Sequence, residues 1–337
     1  MAEKYEIDIV IPWVDGDDPE WIKEFNSYAP KDKQRNLDYS SERFRDFGLL
    51  KYWFRGVEKF APWVRKIHFI TCGQKPDWLD TNNPKLNWVK HEDYIPKEYL
   101  PVFSSHPIEL CINKIPDLAE HFIYFNDDLY LTAPVSPNFF FRNGKPCDYA
   151  VLNAFSYWNI IGIVAQDISI INRRFSKRGV IKKNFFKWFN PKYGKYLMRN
   201  ISLLPWSNFT FFFDGHMSQA YKKSNINEVW DYASEKIGET LKSRFRNDRD
   251  INMWLCRYWQ LCKGDFYPVK PLKGTARYLL SDETNKICRA IQNPKIIEVI
   301  LNDTLEGVLT KEELNFKMDE IINSFEKILP EKSSFEL

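Results

Sequence analysis

The sequence predicts an α/β fold, Rossmann-like, with a mostly parallel central sheet flanked by helices. Three observations carry this. Short runs rich in β-branched and aromatic residues recur at Ile7–Ile11, Ile67–Thr71, Asn87–Lys90 and from Phe122 onward. Stretches of helical apolar spacing lie between them, the alternation that builds a parallel sheet covered on both faces. The first and last of these runs end in acids or amides, as strands do where an open sheet presents its ligand-binding edge.

The elements follow in chain order. Ile7–Ile11 leads into Pro12-Trp13-Val14-Asp15-Gly16-Asp17-Asp18-Pro19, a strand followed by a loop of glycine and acids. From about Ser41, Leu49, Leu50, Trp53, Phe54, Val57 and Phe60 recur at helical spacing, and Ile67–Thr71 is the next strand. After the strand at Asn87–Lys90, Ser105-His106-Pro107 marks a helix start, with Ile108, Ile112 and Ile115 on one face until Pro116 breaks it. The run Phe122-Ile123-Tyr124-Phe125 then stops abruptly at Asn126-Asp127-Asp128. Two further helices are expected, at Asn247–Cys262 through Ile251, Leu255, Tyr258 and Cys262, and at Lys311–Leu329 through Leu314, Met318, Ile321, Phe325 and Ile328.

Between these halves the character changes. Residues 168–213 contain no acid, yet carry Arg173, Arg174, Lys177, Arg178, Lys182, Lys183, Lys187, Lys192, Lys195 and Arg199 among aromatics. This reads as a strongly positive surface segment. The chain is therefore expected to be one domain over 1–337, with a core at about 1–150 and 205–337 and a helical or irregular basic-aromatic insertion at about 151–204.

Composition narrows the class. A chain of 337 residues, 44% hydrophobic and 16% aromatic, can bury a large core. A formal charge of only +3 implies no whole-chain attraction to nucleic acid. Cys72, Cys111, Cys147, Cys256, Cys262 and Cys288 form no Cys-x-x-Cys pair, so reduced, mostly buried thiols are expected. The N-terminus runs into a strand without a basic, apolar leader, and no apolar run approaches the roughly 20 residues of a membrane span. A cytoplasmic protein is expected, at most peripheral at the inner face of the cell membrane.

The acids Asp15, Asp17, Asp127 and Asp128 all lie just past strand ends, so a parallel sheet would gather them at one rim. Oxygen-rich clusters of this kind suit Mg²⁺ together with substrate phosphates, although solvated loop acids look the same in sequence. Glu109 stands in the first turn of its helix, where the dipole favours a carboxylate whatever its function. His216, in Asp214-Gly215-His216-Met217, is either a general base or a packing residue. Arg244-Phe245-Arg246-Asn247-Asp248-Arg249-Asp250 offers guanidinium forks for phosphate, or a salt-bridged helix entry. Asn302-Asp303 repeats the amide-acid ending after Val299-Ile300-Leu301. The basic-aromatic tract carries no nucleic-acid motif and is read as a flap or membrane-facing surface.

Four separated segments, in order and spanning nearly the whole chain, resemble the Stealth family. They are Ile7 to Glu20; Arg43-Phe44-Arg45-Asp46 through Ala61-Pro62-Trp63-Val64-Arg65 and Phe103-Ser104-Ser105-His106-Pro107-Ile108-Glu109 to Asp128; His216 with Arg244 to Asp250; and Leu301-Asn302-Asp303 with Pro330 to Glu336. The family includes bacterial capsular polysaccharide phosphotransferases and the catalytic region of N-acetylglucosamine-1-phosphotransferase. The resemblance implies transfer of a hexose or N-acetylhexosamine 1-phosphate from a UDP-sugar to a hydroxyl of a glycan or lipid-linked oligosaccharide. UMP would leave and a phosphodiester would form.

The chemistry so implied assigns expected roles. His216, Arg246, Asp128 and Glu109 are the catalytic candidates, with His216 as base on the acceptor and Arg246 as pyrophosphate clamp. Asp15, Gly16, Asp17, Arg43, Asp46, Ser105 and Asn126 are candidates for holding substrate and nucleotide. Asp127, Asp128 and Asp303 are candidates for Mg²⁺ or Mn²⁺. A conventional metal-dependent UDP-sugar glycosyltransferase would use the same acids, and a non-catalytic glycan-assembly protein would keep the fold without the activity.

Overall fold

The computed structural model describes residues 5–29, 47–154, 160–303 and 308–337. Arg43 and Asp46 lie outside them. Strand β1 (Ile7–Pro12) pairs in parallel with β2 (Ile67–Thr71) on one side and β4 (His121–Tyr124) on the other, and β3 (Leu86–Lys90) extends the sheet beyond β2. Five of the six β1 residues and all five of β2 are buried, as strands covered on both faces must be. The expected α/β fold with a mostly parallel sheet is thus observed. A fifth strand, Gln219–Lys222, closes the sheet antiparallel to β4, with Gln219 opposite Tyr124.

A second sheet was not foreseen. Strand β5 (Leu129–Leu131) leaves the first sheet immediately after Asp128 and pairs antiparallel with Glu298–Asn302, which pairs in parallel with Thr275–Leu279. Asp128 therefore sits where the chain steps from one sheet to the other. Helix Leu50–Phe60 packs beneath this step, and Gly56 permits it: a Cβ there would stand 2.7 Å from the Leu131 carbonyl oxygen.

Two helices depart from expectation for identifiable reasons. The helix begun at Ser105 stops at Leu110, whose carbonyl accepts the Trp230 indole N–H at 2.7 Å, and a short 3₁₀ turn Ile112–Lys114 follows. The helix expected from Asn247 begins only at Trp254. Asp250 Oδ2 accepts the Asn247 N–H at 2.9 Å, Asn247 Oδ1 that of Arg249 at 2.9 Å, and Asn252 Oδ1 that of Trp254 at 3.0 Å, so side chains satisfy the donors a helix would have used. The last helix, Lys311–Ile328, starts in a Thr310/Glu313 capping box.

The basic tract is helical, at Ile161–Arg174, Lys177–Lys183, Phe185–Trp188 and Leu197–Leu203, with a 3₁₀ segment at Pro191–Tyr196. Lys177, expected at the surface, is buried instead. Its ammonium donates to the Leu203 carbonyl at 2.5 Å and the Trp206 carbonyl at 2.8 Å.

At the rim of the sheet opposite the ends of β1 and β4, Asp8 is fully buried. Arg65 donates to both its oxygens at 2.8 and 2.6 Å, His68 Nε2 lies 2.9 Å away and the Ala119 N–H donates at 2.8 Å. Burial pushes this carboxyl up, but those bonds outweigh it and hold it below its ordinary range. A second buried pair joins Arg55 to Glu336, two bonds of 2.7 Å, while Phe335 packs on Phe54 with ring centroids 5.2 Å apart.

Candidate active site

A cavity of about 920 Å³ opens at the carboxyl ends of the parallel strands. The Phe125 N–H still bonds the Val10 carbonyl at 2.9 Å, and the chain then turns through Asn126-Asp127-Asp128, closed by the Leu129 N–H on the Asn126 carbonyl at 3.2 Å. The three turn residues line the cavity.

Asp128 is the hub. Its Oδ2 lies 2.8 Å from His216 Nε2 and accepts the Asn302 amide at 2.6 Å, while its carbonyl accepts the Leu301 N–H at 2.9 Å. The other carboxylate oxygen, Oδ1, is buried and has no hydrogen-bond partner among the described residues. Three distant parts of the chain thus meet at one carboxylate. Arg277, on the neighbouring strand, donates through Nε to Asn302 Oδ1 and also lines the cavity.

His216 is carried by a braced turn. The Asp214 side chain is only 6% exposed, accepts the Tyr258 hydroxyl at 2.5 Å and pairs with Arg257, which also grips Asp148 through bonds of 3.0 and 2.8 Å. Burial pushes the Asp214 carboxyl up to about 6, against the pull of the Arg257 guanidinium. The Gly215 N–H donates to the Tyr149 hydroxyl at 3.0 Å. A Cβ at Gly215 would overlap Leu272 Cδ2 and stand 2.7 Å from that hydroxyl, so a larger residue would force the Leu272 and Tyr149 side chains to shift.

On the opposite wall, Ser104 caps helix Ser105–Leu110 by accepting the His106 N–H at 3.3 Å. Arg246 Nη2 donates to Ser105 Oγ at 3.2 Å, and both residues line the cavity. The Arg246 loop is fastened there by His106 Nδ1 to Asp250 at 3.1 Å and by Phe103 stacked on Phe245 at 5.2 Å. Glu109 lines the cavity as well and accepts the Tyr124 hydroxyl at 3.1 Å.

Of the expected site residues, Glu109, Ser105, Asn126, Asp127, Asp128, His216, Arg246 and Asp303 are brought together around this cavity. Asp15, Gly16 and Asp17 are not among its lining residues. Asp15 Oδ1 is turned onto the Asp17 N–H at 3.0 Å, and Gln74 holds the loop through the Asp15 N–H and carbonyl at 3.0 and 2.9 Å. The loop contributes Trp13 and Val14 to the cavity wall, while its acids lie outside the lining residues. Sequence reasoning singled out Asn302 with Asp303 but missed Arg257 and Arg277 as site members. The alternation in Thr275-Ala276-Arg277-Tyr278-Leu279 was the available strand signal for Arg277.

Among the described residues no three His, Cys, Asp or Glu side chains form a group that could hold a metal by themselves. The donor set nevertheless fits a hard cation in one respect. Asp128 presents a buried, unsatisfied carboxylate oxygen beside Asp127, and Mg²⁺ is commonly held by only one or two carboxylates, with substrate phosphates and water completing its octahedron.

Comparison with known proteins identifies the family of the chain. Residues 5–33 match Stealth protein CR1, conserved region 1, and residues 43–148 match Stealth protein CR2, conserved region 2. A capsular polysaccharide phosphotransferase WcwK of Streptococcus pneumoniae is 41% identical, covering 100% of this chain and 99% of that protein. The exopolysaccharide phosphotransferase cps2G of Lactiplantibacillus plantarum is 37% identical over 98% of this chain and 96% of its own, and the receptor polysaccharide phosphotransferase WefC of Streptococcus oralis is 37% identical over 98% and 99%. The galactosyltransferase LgtC, solved with donor and acceptor sugar analogues, is 9% identical with a TM-score of 0.41 over 95% of this chain and 96% of its own, too low to add to the assignment. The chain belongs to the Stealth family of polysaccharide phosphotransferases.

Proposed function

We propose that the enzyme transfers a hexose or N-acetylhexosamine 1-phosphate from a UDP-sugar to a glycan hydroxyl during capsular or other cell-surface polysaccharide synthesis. The acceptor, a glycan or lipid-linked oligosaccharide, attacks the β-phosphorus through its oxygen. The bond from that phosphorus to the bridging oxygen breaks, UMP departs and a phosphodiester remains. The observation supporting this most directly is His216 held on Asp128 at 2.8 Å in a cavity that also receives Arg246 and Arg277. A proton acceptor thus stands among guanidinium groups suited to phosphate oxygens.

The hydrogen bonding suggests how the base works. With Nε2–H directed at Asp128, the imidazole lone pair resides on Nδ1, which then takes the acceptor's proton, and Asp128 stabilises the imidazolium that results. Asn302 and the braced Asp214-Gly215 turn keep both partners in place. Arg246 and Arg277 would bind phosphate oxygens and offset charge building on them. A divalent cation, Mg²⁺ or Mn²⁺, would be held by Asp128 Oδ1 with Asp127, substrate phosphates and water, and would supply charge neutralisation at the pyrophosphate.

The test is product analysis. Purified protein, a panel of UDP-sugars, Mg²⁺ and an acceptor glycan should yield UMP and a product retaining phosphorus. Release of UDP with a phosphorus-free product would instead establish ordinary glycosyl transfer.

A further inference from the structure

Helix Leu197–Leu203 buries Asn200 and Leu203 yet leaves an apolar stripe exposed to solvent. Its inward face carries the polar Asn200, whose amide donates to the Ala150 carbonyl at 2.8 Å and the Trp188 carbonyl at 2.7 Å and accepts the Leu152 N–H at 2.6 Å. Its outward face carries Met198 and Ile201, three residues apart, with Leu204 three further on; they are 61%, 51% and 47% exposed. An amphipathic helix ordinarily buries such a stripe. The Asn200–Trp188 bond packs this helix against Phe185–Trp188, whose Phe186 is 82% exposed and Phe185 50%. Trp206 follows, 55% exposed.

The setting of these apolar groups is basic. Lys182, Lys183 and Lys195 are exposed within the same tract, and residues 168–213 contribute no carboxylate. Among the described residues no helix is long and apolar enough to cross a membrane. Aromatic and aliphatic side chains projecting from short helices, with lysines among them, match the requirements of an interfacial surface: the apolar groups enter the acyl boundary and the ammonium groups meet anionic headgroups.

We propose that residues 182–206 form a docking surface for an anionic phospholipid bilayer. The proposal rests on the exposed apolar groups and on the exposed lysines of the same tract, and does not depend on which phosphoryl donor is used.

Co-sedimentation of the full chain with phosphatidylglycerol-containing vesicles, and with pure phosphatidylcholine vesicles, tests it. Wild-type protein should pellet with the anionic vesicles, weaken in high salt and bind the neutral vesicles at least roughly tenfold less. Met198→Ser/Ile201→Ser/Phe186→Ser should lower anionic-vesicle binding roughly tenfold or more, as should the surface-only variant Lys182→Glu/Lys183→Glu. Phosphotransfer to a soluble acceptor should be unchanged in both. Equal binding by wild type and Lys182→Glu/Lys183→Glu, or absence of wild-type binding to anionic vesicles, overturns the proposal. So does a wild-type dimer in light scattering that the serine variant converts to monomer, which would assign the surface to a second copy of the chain.

Discussion

Glu298 offers a stringent test of how the site is built. It is fully buried in the central strand of the second sheet, four residues before Asn302, and accepts from the Ser218 hydroxyl and, at 3.1 Å, from the Thr275 hydroxyl. Burial raises its carboxyl from the ordinary 4.5 to about 7, and the two hydroxyl bonds only partly oppose this. The folded state therefore holds a proton that the unfolded chain releases, and stability must fall as pH rises between those values. At about 1.36 kcal/mol per pH unit, the full displacement corresponds to roughly 3 kcal/mol lost by the time the pH passes 7.

Glu298→Gln removes the titration while retaining size and hydrogen bonding. Urea midpoints measured from about pH 5 to about pH 8 should show the variant near wild type at the acid end and up to roughly 3 kcal/mol more stable at the alkaline end. Taking the difference between the two proteins cancels every other titrating group they share. Parallel profiles across this range would refute the reasoning, because they would mean that Glu298 ionises in the folded state as it does in the unfolded one.

Other expectations are independent of that one. His216→Ala should reduce kcat by roughly 10²–10⁴ with a smaller effect on donor KM, and an unchanged kcat in steady-state assays would remove His216 from proton transfer. Arg257→Met leaves Asp148 and Asp214 buried without their shared counter-charge and should destabilise by roughly 3–5 kcal/mol in urea unfolding, where a loss near zero would show that the brace is not held by charge. Chelation with EDTA should abolish phosphotransfer and added Mg²⁺ or Mn²⁺ restore it; full activity in chelator would release Asp127 and Asp128 from metal duty.

The first sheet was legible because its signal is local. Apolar-rich runs at Ile7 and Ile67, interrupted by Asp8 and His68, declare strands buried on both faces, and the acids after Phe125 declare the rim. The second sheet was hidden: β5 is three residues long, and Thr275–Leu279 is only partly buried, so neither offers a long periodic pattern. Its consequence is the meeting of Asn302 with Asp128, a contact across 174 residues that no window of sequence contains. The late start of helix Trp254–Lys263 was equally unreadable by apolar spacing, since Ile251 is buried as predicted while Asp250, its neighbour, redirects the backbone. Acids such as Asp15 and Asp17 could be placed at the correct rim but not assigned a direction, because an Asx turn points a carboxylate back at its own chain.

The Arg55–Glu336 pair bears on biosynthesis. A ribosome delivers Arg55 and Phe54 long before residues 335 and 336, so the nascent chain must carry a guanidinium without its carboxylate and an aromatic face without its cover. The first hydrophobic layer therefore cannot close in its final form until residues 335 and 336 have been made, about 280 residues after Arg55.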